Sequence, residues 1–167
     1  MKVGLLGGSF NPPHQGHLHL SNLAIKKLNL NQVWWIPTLK NPFKEDSIYE
    51  SYVSRVEKCE DLIRNYPKLR LKRFSEIYTQ KLIERLKKKY PNVEFFWIMG
   101  ADNLEKFHKW KNFKELLKSI PIAIFSREKF LQHARKSRIF QLKLQPKLLI
   151  FHTKNLDISS TKIRLGK

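Results

Sequence analysis

The stretch "KVGLLGGSFNPPHQGH" (residues 2–17) decides the fold. Lys2-Val3-Gly4-Leu5-Leu6 reads as a buried strand. Gly7 and Gly8 then open a turn, and Pro12 and Pro13 fix the backbone before a helix that starts near Gln15. Such a glycine-rich turn leaves backbone N–H groups at the positive end of the helix dipole, where phosphate is attracted. His14 and His17 make the turn basic. It is not a Walker A loop, because no Gly-Lys-Ser/Thr follows, and Gly4, Gly7 and Gly8 lack the GxGxxG spacing.

Outward from this unit, Val3-Leu6 is joined by five further apolar runs that read as short strands: Val33-Pro37, Leu69-Lys72, Glu94-Met99, Ile122-Phe125 and Leu148-Phe151. Segments of helical spacing alternate with them: Leu18-Leu28, Tyr52-Ile63, Gln80-Lys89, Phe113-Leu117 and Glu128-Ile139. Alternation of this kind predicts an α/β fold with a doubly wound parallel sheet, its ligands at the carboxyl ends of the strands. No repeat, low-complexity tract or linker divides residues 1–167, so a single domain is expected. The segment "KNPFKEDS" (40–47) follows a strand directly and should border the site as a flap.

Composition narrows the class. A chain that is 41% hydrophobic supplies an ordinary core for one domain, and no apolar run approaches a membrane span of about 18 residues. One cysteine, Cys59, excludes an internal disulfide and a multi-cysteine metal site; a reducing cytoplasm is expected, with Cys59 a half-buried helix residue. The formal charge of +19 attracts polyanions, yet the lysines are spread along the chain, as in "KLRLKR" (68–73) and "ERLKKKY" (84–90), the pattern of solvated surface. The first acidic residue is Glu45, so the N-terminal strand–turn–helix unit carries no carboxylate.

His14 and His17 lie three apart and share a helix face, which suits phosphate, a metal ion or packing. A metal pair would want a third ligand, and the local stretch offers only His19. Gly16 between them lets a bulky anion approach the backbone. Near the other end of the chain, Ser159, Ser160 and Thr161 stand at a helix N-terminus, where they can cap it or bind anions, and Arg164 follows one turn on. Asp102 follows a strand end and suits ribose hydroxyls or a helix N-cap equally. Trp110, on an expected helix three residues past Phe107, suits ring stacking or core packing.

These residues carry a resemblance. "GGSFNPPHQGH" (7–17) resembles the signature of the nucleotidyltransferases marked by (H/T)xGH, and "ISSTKIR" (158–164) resembles the ISSTxxR motif of the same superfamily. "WWIPTLKNPFK" (34–44) and "WIMGADNLEKFHKW" (97–110) are similar to segments of the bacterial nicotinate-nucleotide adenylyltransferase family of NAD synthesis. The resemblance spans nearly the whole chain. It implies a Rossmann-like nucleotidyltransferase fold and transfer of AMP from ATP to nicotinate mononucleotide, giving deamido-NAD and pyrophosphate. ATP is then a substrate, and Mg²⁺ is held mainly by its phosphates.

Carried over residue by residue, the resemblance implies catalytic roles for His14, His17 and Arg164. It assigns ATP and phosphate binding to Gly8, Ser9, Phe10, Gly16, Ser159, Ser160 and Thr161, and nicotinate-nucleotide binding to Lys44, Tyr78, Thr79, Asp102 and Trp110. No protein-built metal site is implied. Two departures stand out: "RFSEIYT" (73–79) is shorter than the corresponding loop, and only Leu165-Gly166-Lys167 follow the motif arginine where a further helical segment is expected. Pantetheine-phosphate adenylyltransferase shares both phosphate signatures, but "WIPTLKNP" and "MGADN" argue against it. A basic nucleic-acid-binding module would leave both histidines and Arg164 without a purpose. The expected partners are small molecules, with no specific nucleic acid and no membrane, in a monomer or a homodimer.

Overall fold

The computed structural model describes residues 1–39, 50–76, 78–126, 147–153 and 160–164. Six strands, β1 (Lys2–Gly8), β2 (Gln32–Pro37), β3 (Leu69–Leu71), β4 (Glu94–Gly100), β5 (Ile122–Ser126) and β6 (Leu148–His152), form one sheet in the order β3-β2-β1-β4-β5-β6. Every pairing is parallel, with Leu5 opposite Trp34 on one side and Trp97 on the other. Each of the six runs read as strands in the sequence forms a strand here. A parallel sheet is covered on both faces, so its strands are apolar along most of their length, as in "QVWWIP" and "EFFWIMG".

The described helices are α1 (Gln15–Leu28), α2 (Tyr52–Ile63), α3 (Thr79–Lys89), α4 (Leu104–Phe107), α5 (Phe113–Ser119) and α6 (Ser160–Arg164). Alternate strand residues divide the core into two layers. On one face Leu5, Trp34, Trp97 and Ile122 join Leu82 and Leu86 of α3 and Leu116 of α5. On the other, Leu6, Trp35, Phe96 and Ala123 join Leu18 of α1 and Cys59 of α2. Burying each large side chain stabilises the fold by about 1.5–3 kcal/mol, so the two layers fix the sheet between its helices.

Cys59 is wholly buried rather than half-buried, because it lies on the stripe of α2 that faces the sheet. The expected helix at Glu128-Ile139 and the flap at 40–47, with Lys44, lie outside the described residues. Strand order turns back between β1 and β4, where the crossovers leave in opposite directions. The crevice above those two carboxyl ends is where a doubly wound sheet receives its ligand.

Candidate active site

The loop from Ser9 to His14 leaves β1 at that crevice and enters α1. His14 is the N-cap of α1, with extended backbone (φ −155°), and its Nδ1 accepts the N–H of Gly16 at 3.1 Å. His17 Nδ1 in turn accepts the N–H of His14 at 3.2 Å, completing a reciprocal cap built from two imidazoles. Since both Nδ1 atoms are acceptors, the proton of each neutral ring resides on Nε2. Burial lowers His14 to about 4; burial and the neighbouring His14 lower His17 to about 3. The turn that reads as basic is therefore uncharged at neutral pH, each imidazole carrying its N–H at Nε2. The N–H of Gly16 is occupied by His14.

A buried framework holds His17 in place. Phe10, in the left-handed region at φ 47°, lays its ring against His17 at 4.7 Å and stacks on Trp35 at 4.9 Å. Trp35 Nε1 donates to Ser21 Oγ at 2.8 Å, and Ser21 Oγ donates to the His17 carbonyl at 2.8 Å. The Phe10 ring is thus a core residue, 1% exposed, and only its backbone remains for a phosphate. Gly7 is required by close packing: a Cβ there would lie 2.6 Å from the six-membered ring of Trp97. Gly8 and Ser9 stay half-buried at the loop's mouth.

The second signature docks on the first. Ser160 Oγ donates to the Pro12 carbonyl at 2.9 Å, and Arg164 donates through Nη1 to the Asn11 carbonyl. Residues 148 and 153 positions apart thereby meet at one loop. Ser160 and Arg164 are brought to the loop that carries His14. Ser159 and the side chain of Thr161 lie outside the described residues.

The sequence does not single out Arg55. It is 2% exposed on α2, and its guanidinium donates to backbone carbonyls on several segments: Ser9, Thr38 and Leu39 beyond the strand ends, and Glu50 before the helix. Asn11, also buried, accepts the N–H of Glu50 on its Oδ1 at 3.2 Å. A signal for Arg55 is nonetheless present. Arg55, Cys59 and Ile63 recur every four residues, which puts a charged side chain on an apolar helix stripe. Ser21 sits likewise between Leu18 and Ala24 on the buried face of α1.

On the other side of the crevice lie the residues expected at the acceptor. Asp102 is exposed in a 3₁₀ turn (Ala101–Asn103) after β4 and is not a helix N-cap. Its carboxylate folds over Gly100, occupying the space where a Cβ would stand. Trp110 is not on a helix: α4 ends at Phe107, and Trp110 follows in the bend before Asn112, whose left-handed backbone (φ 53°) opens α5. Half-buried, it meets Trp97 edge-on at 5.9 Å and Phe107 at 5.0 Å, so packing fixes part of its ring and leaves part accessible.

Tyr78 and Thr79 open α3 with no side-chain cap, leaving the backbone N–H groups of its first turn uncapped by side chains. Asn112 Nδ2 donates to Gln80 Oε1 at 3.1 Å, and Lys111 Nζ lies 4.4 Å from the Tyr78 ring centre. The bend carrying Trp110 and the first turn of α3 therefore adjoin. Arg85 binds Glu76 through its Oε1 and holds that carboxyl below the usual range.

Among the described residues no group of three His, Cys, Asp or Glu side chains is placed to hold a metal ion. Cys59 is chemically quiet, since burial pushes its thiol up to about 12. No described helix is long and apolar enough to cross a membrane.

The sequence pattern of the cytidylyltransferase-like family matches residues 5–166 of the chain. A probable nicotinate-nucleotide adenylyltransferase of Ruegeria sp. is 40% identical over 152 residues, covering 89% of this chain and 79% of that protein. One from Rhizobium etli is 35% identical over 186 aligned residues, covering 99% and 96%. The structure of Plasmodium falciparum nicotinic acid mononucleotide adenylyltransferase complexed with NaAD superposes with a TM-score of 0.78. That match covers 98% of this chain and 82% of the other at 21% identity, a likeness of fold.

Proposed function

The chain belongs to the cytidylyltransferase-like family, among the nicotinate-nucleotide adenylyltransferases, and from that premise we propose how its residues share the reaction. It transfers AMP from ATP to nicotinate mononucleotide, giving deamido-NAD and pyrophosphate. A phosphate oxygen of the acceptor attacks the α-phosphorus of ATP. One P–O bond forms, the bond to the bridging oxygen breaks, and pyrophosphate leaves with the electron pair. The attacking phosphate is already anionic at neutral pH, so no general base is required. Catalysis is positioning and charge stabilisation.

The single observation that carries this reading is the paired imidazole cap. Each of the two rings at the helix N-terminus has its Nδ1 engaged by a backbone N–H, so each directs its donor from Nε2. His17 serves the α-phosphate with His14 beside it, while Arg164 and Ser160 take the leaving pyrophosphate. Gly8, Ser9, Gly16 and the Phe10 backbone line the triphosphate. Trp110 stacks on the pyridine ring, Asp102 accepts from ribose hydroxyls, and Tyr78 and Thr79 present N–H groups to the acceptor. By resemblance Lys44, Ser159 and Thr161 join them. The donor set around the loop is rich in N–H groups and poor in carboxylates, which suits Mg²⁺ arriving on the phosphates of ATP.

In this reading a single domain carries a whole site, so a monomer or a homodimer serves equally. The buried thiol fits a cytoplasmic enzyme. The charge of +19 serves as solvated surface, so nucleic-acid binding should vanish at physiological salt. Pyrophosphate release from ATP, measured with nicotinate mononucleotide, nicotinamide mononucleotide and phosphopantetheine in turn, tests the reading. Turnover with the first acceptor is expected; turnover with phosphopantetheine alone overturns it.

A further inference from the structure

We propose that Arg55 is a positioning residue for adenylyl transfer, joining the phosphate loop after β1 to the chain that follows β2. The inference rests on the adenylyl-transfer reading of the site. Arg55 holds both sides at once. Nη1 holds the Ser9 carbonyl, on the phosphate side. Nη2 holds the carbonyls of Thr38 and Leu39 at 3.0 and 3.1 Å, and Nε holds that of Glu50 at 3.2 Å, on the side leading from β2 to α2. A planar guanidinium directs these donors in fixed directions, so the carbonyls cannot shift independently.

From Ser9 the constraint passes to the imidazoles. Ser9 precedes Phe10, whose left-handed backbone puts its ring on His17. A shift at the Ser9 carbonyl therefore tilts the ring on which His17 rests. On the opposite side, the bonds to Leu39 and Glu50 fix two carbonyls that bracket residues 40–49 in the chain. Lysine at position 55 keeps the charge but has a single donor centre, and it cannot reproduce bonds made from three nitrogens.

The test uses full-length protein, with wild-type turnover of ATP and nicotinate mononucleotide measured first. Absence of that turnover refutes the functional reading and is seen before any variant is made. Arg55→Lys and Arg55→Gln are then compared with Ile63→Ala, a core truncation at the far end of the same helix, at a temperature where circular dichroism shows each folded. Arg55 variants should lose roughly 10²-fold in kcat. Ile63→Ala should lower the thermal midpoint and keep kcat within about twofold. Arg55→Lys with kcat equal to that of Ile63→Ala overturns the proposal.

Should neither Arg55 variant fold, hydrogen exchange on the wild type decides. ATP alone should slow exchange of the Ser54 and Arg55 amides in the first turn of α2. Protection confined to the phosphate loop, with those two amides unchanged, overturns it.

Discussion

His17 Nδ1 accepts the backbone N–H of His14, and the two rings lie 4.0 Å apart between centres. This contact fixes a tautomer as well as a position. With Nδ1 occupied, His17 offers its one proton from Nε2. Replacing it by alanine removes that donor, and kcat should fall roughly 10²–10³-fold, as for loss of one oxyanion donor. Substrate KM should change less, because the contact strengthens as charge redistributes. Steady-state kinetics check this; near-normal kcat ends the assignment. His14→Ala should lose less activity, but also about 0.5–2 kcal/mol of stability, because the ring caps α1.

The same pair predicts an acid-labile fold. In the unfolded chain both histidines titrate near 6.5, whereas in the folded protein they stay neutral down to about 4 and about 3. Below 6.5 the unfolded state therefore binds more protons, so stability rises with pH across this window and is lost as pH falls through it. Urea unfolding from about pH 7 down to about pH 4 should show a falling midpoint, and His17→Asn should flatten that slope. A slope unchanged in the variant would show that His17 is not the group protonated on unfolding.

Arg164→Lys retains charge and loses the planar fork. ATP KM should rise roughly 10-fold, the lower end of the about 1.5–3 kcal/mol of a hydrogen bond to a charged group, since the charge is kept, with a smaller loss in kcat. Arg164→Ala should be worse. If ATP affinity survives that truncation, the arginine serves the fold, as in its bond to the Asn11 carbonyl, and not the triphosphate.

Acceptor choice depends on the junction of α3 with the Trp110 bend. The α3 N-terminus favours an anion by about 0.3–1 kcal/mol, and charge-assisted N–H bonds add to this, while ring stacking treats both pyridines alike. Nicotinate mononucleotide should therefore exceed nicotinamide mononucleotide in kcat/KM. Asn112→Ala, which cuts the bond to Gln80, should narrow the ratio. Steady-state kinetics with both acceptors measure it. A wild-type ratio near one, or favouring the amide, sinks this assignment.

The strands are legible in the sequence because a sheet covered on both faces needs uninterrupted apolar runs, and α2 because its residues keep a helical spacing. Trp110 reads as helical because Leu104 and Phe107 set a helical spacing that the bend from His108 to Asn112 breaks. Arg55 escapes a reading of the sequence for a different reason. Its hydrogen-bond acceptors among the described residues are carbonyls up to 46 residues away, and a backbone oxygen leaves no mark in the order of side chains. The uncharged state of the two histidines is equally hidden, since it follows from burial, for His17 beside Phe10 and Trp35, rather than from residue type.

The docking of Ser160 and Arg164 on Pro12 and Asn11 also sets an order of events during synthesis. A chain emerging from its N-terminus exposes the residues of its phosphate loop and first helix early. The open edge of β1 then waits for β4, more than half the chain later, before the switch-point crevice has two walls. The bonds that α6 makes to the carbonyls of residues 11 and 12 come later still. Calorimetric ATP titration of a chain cut after residue 153, set beside the full chain, measures what that wait costs. Affinity for the triphosphate should arrive in one late step, and unfinished chains would carry the sheet without sequestering ATP.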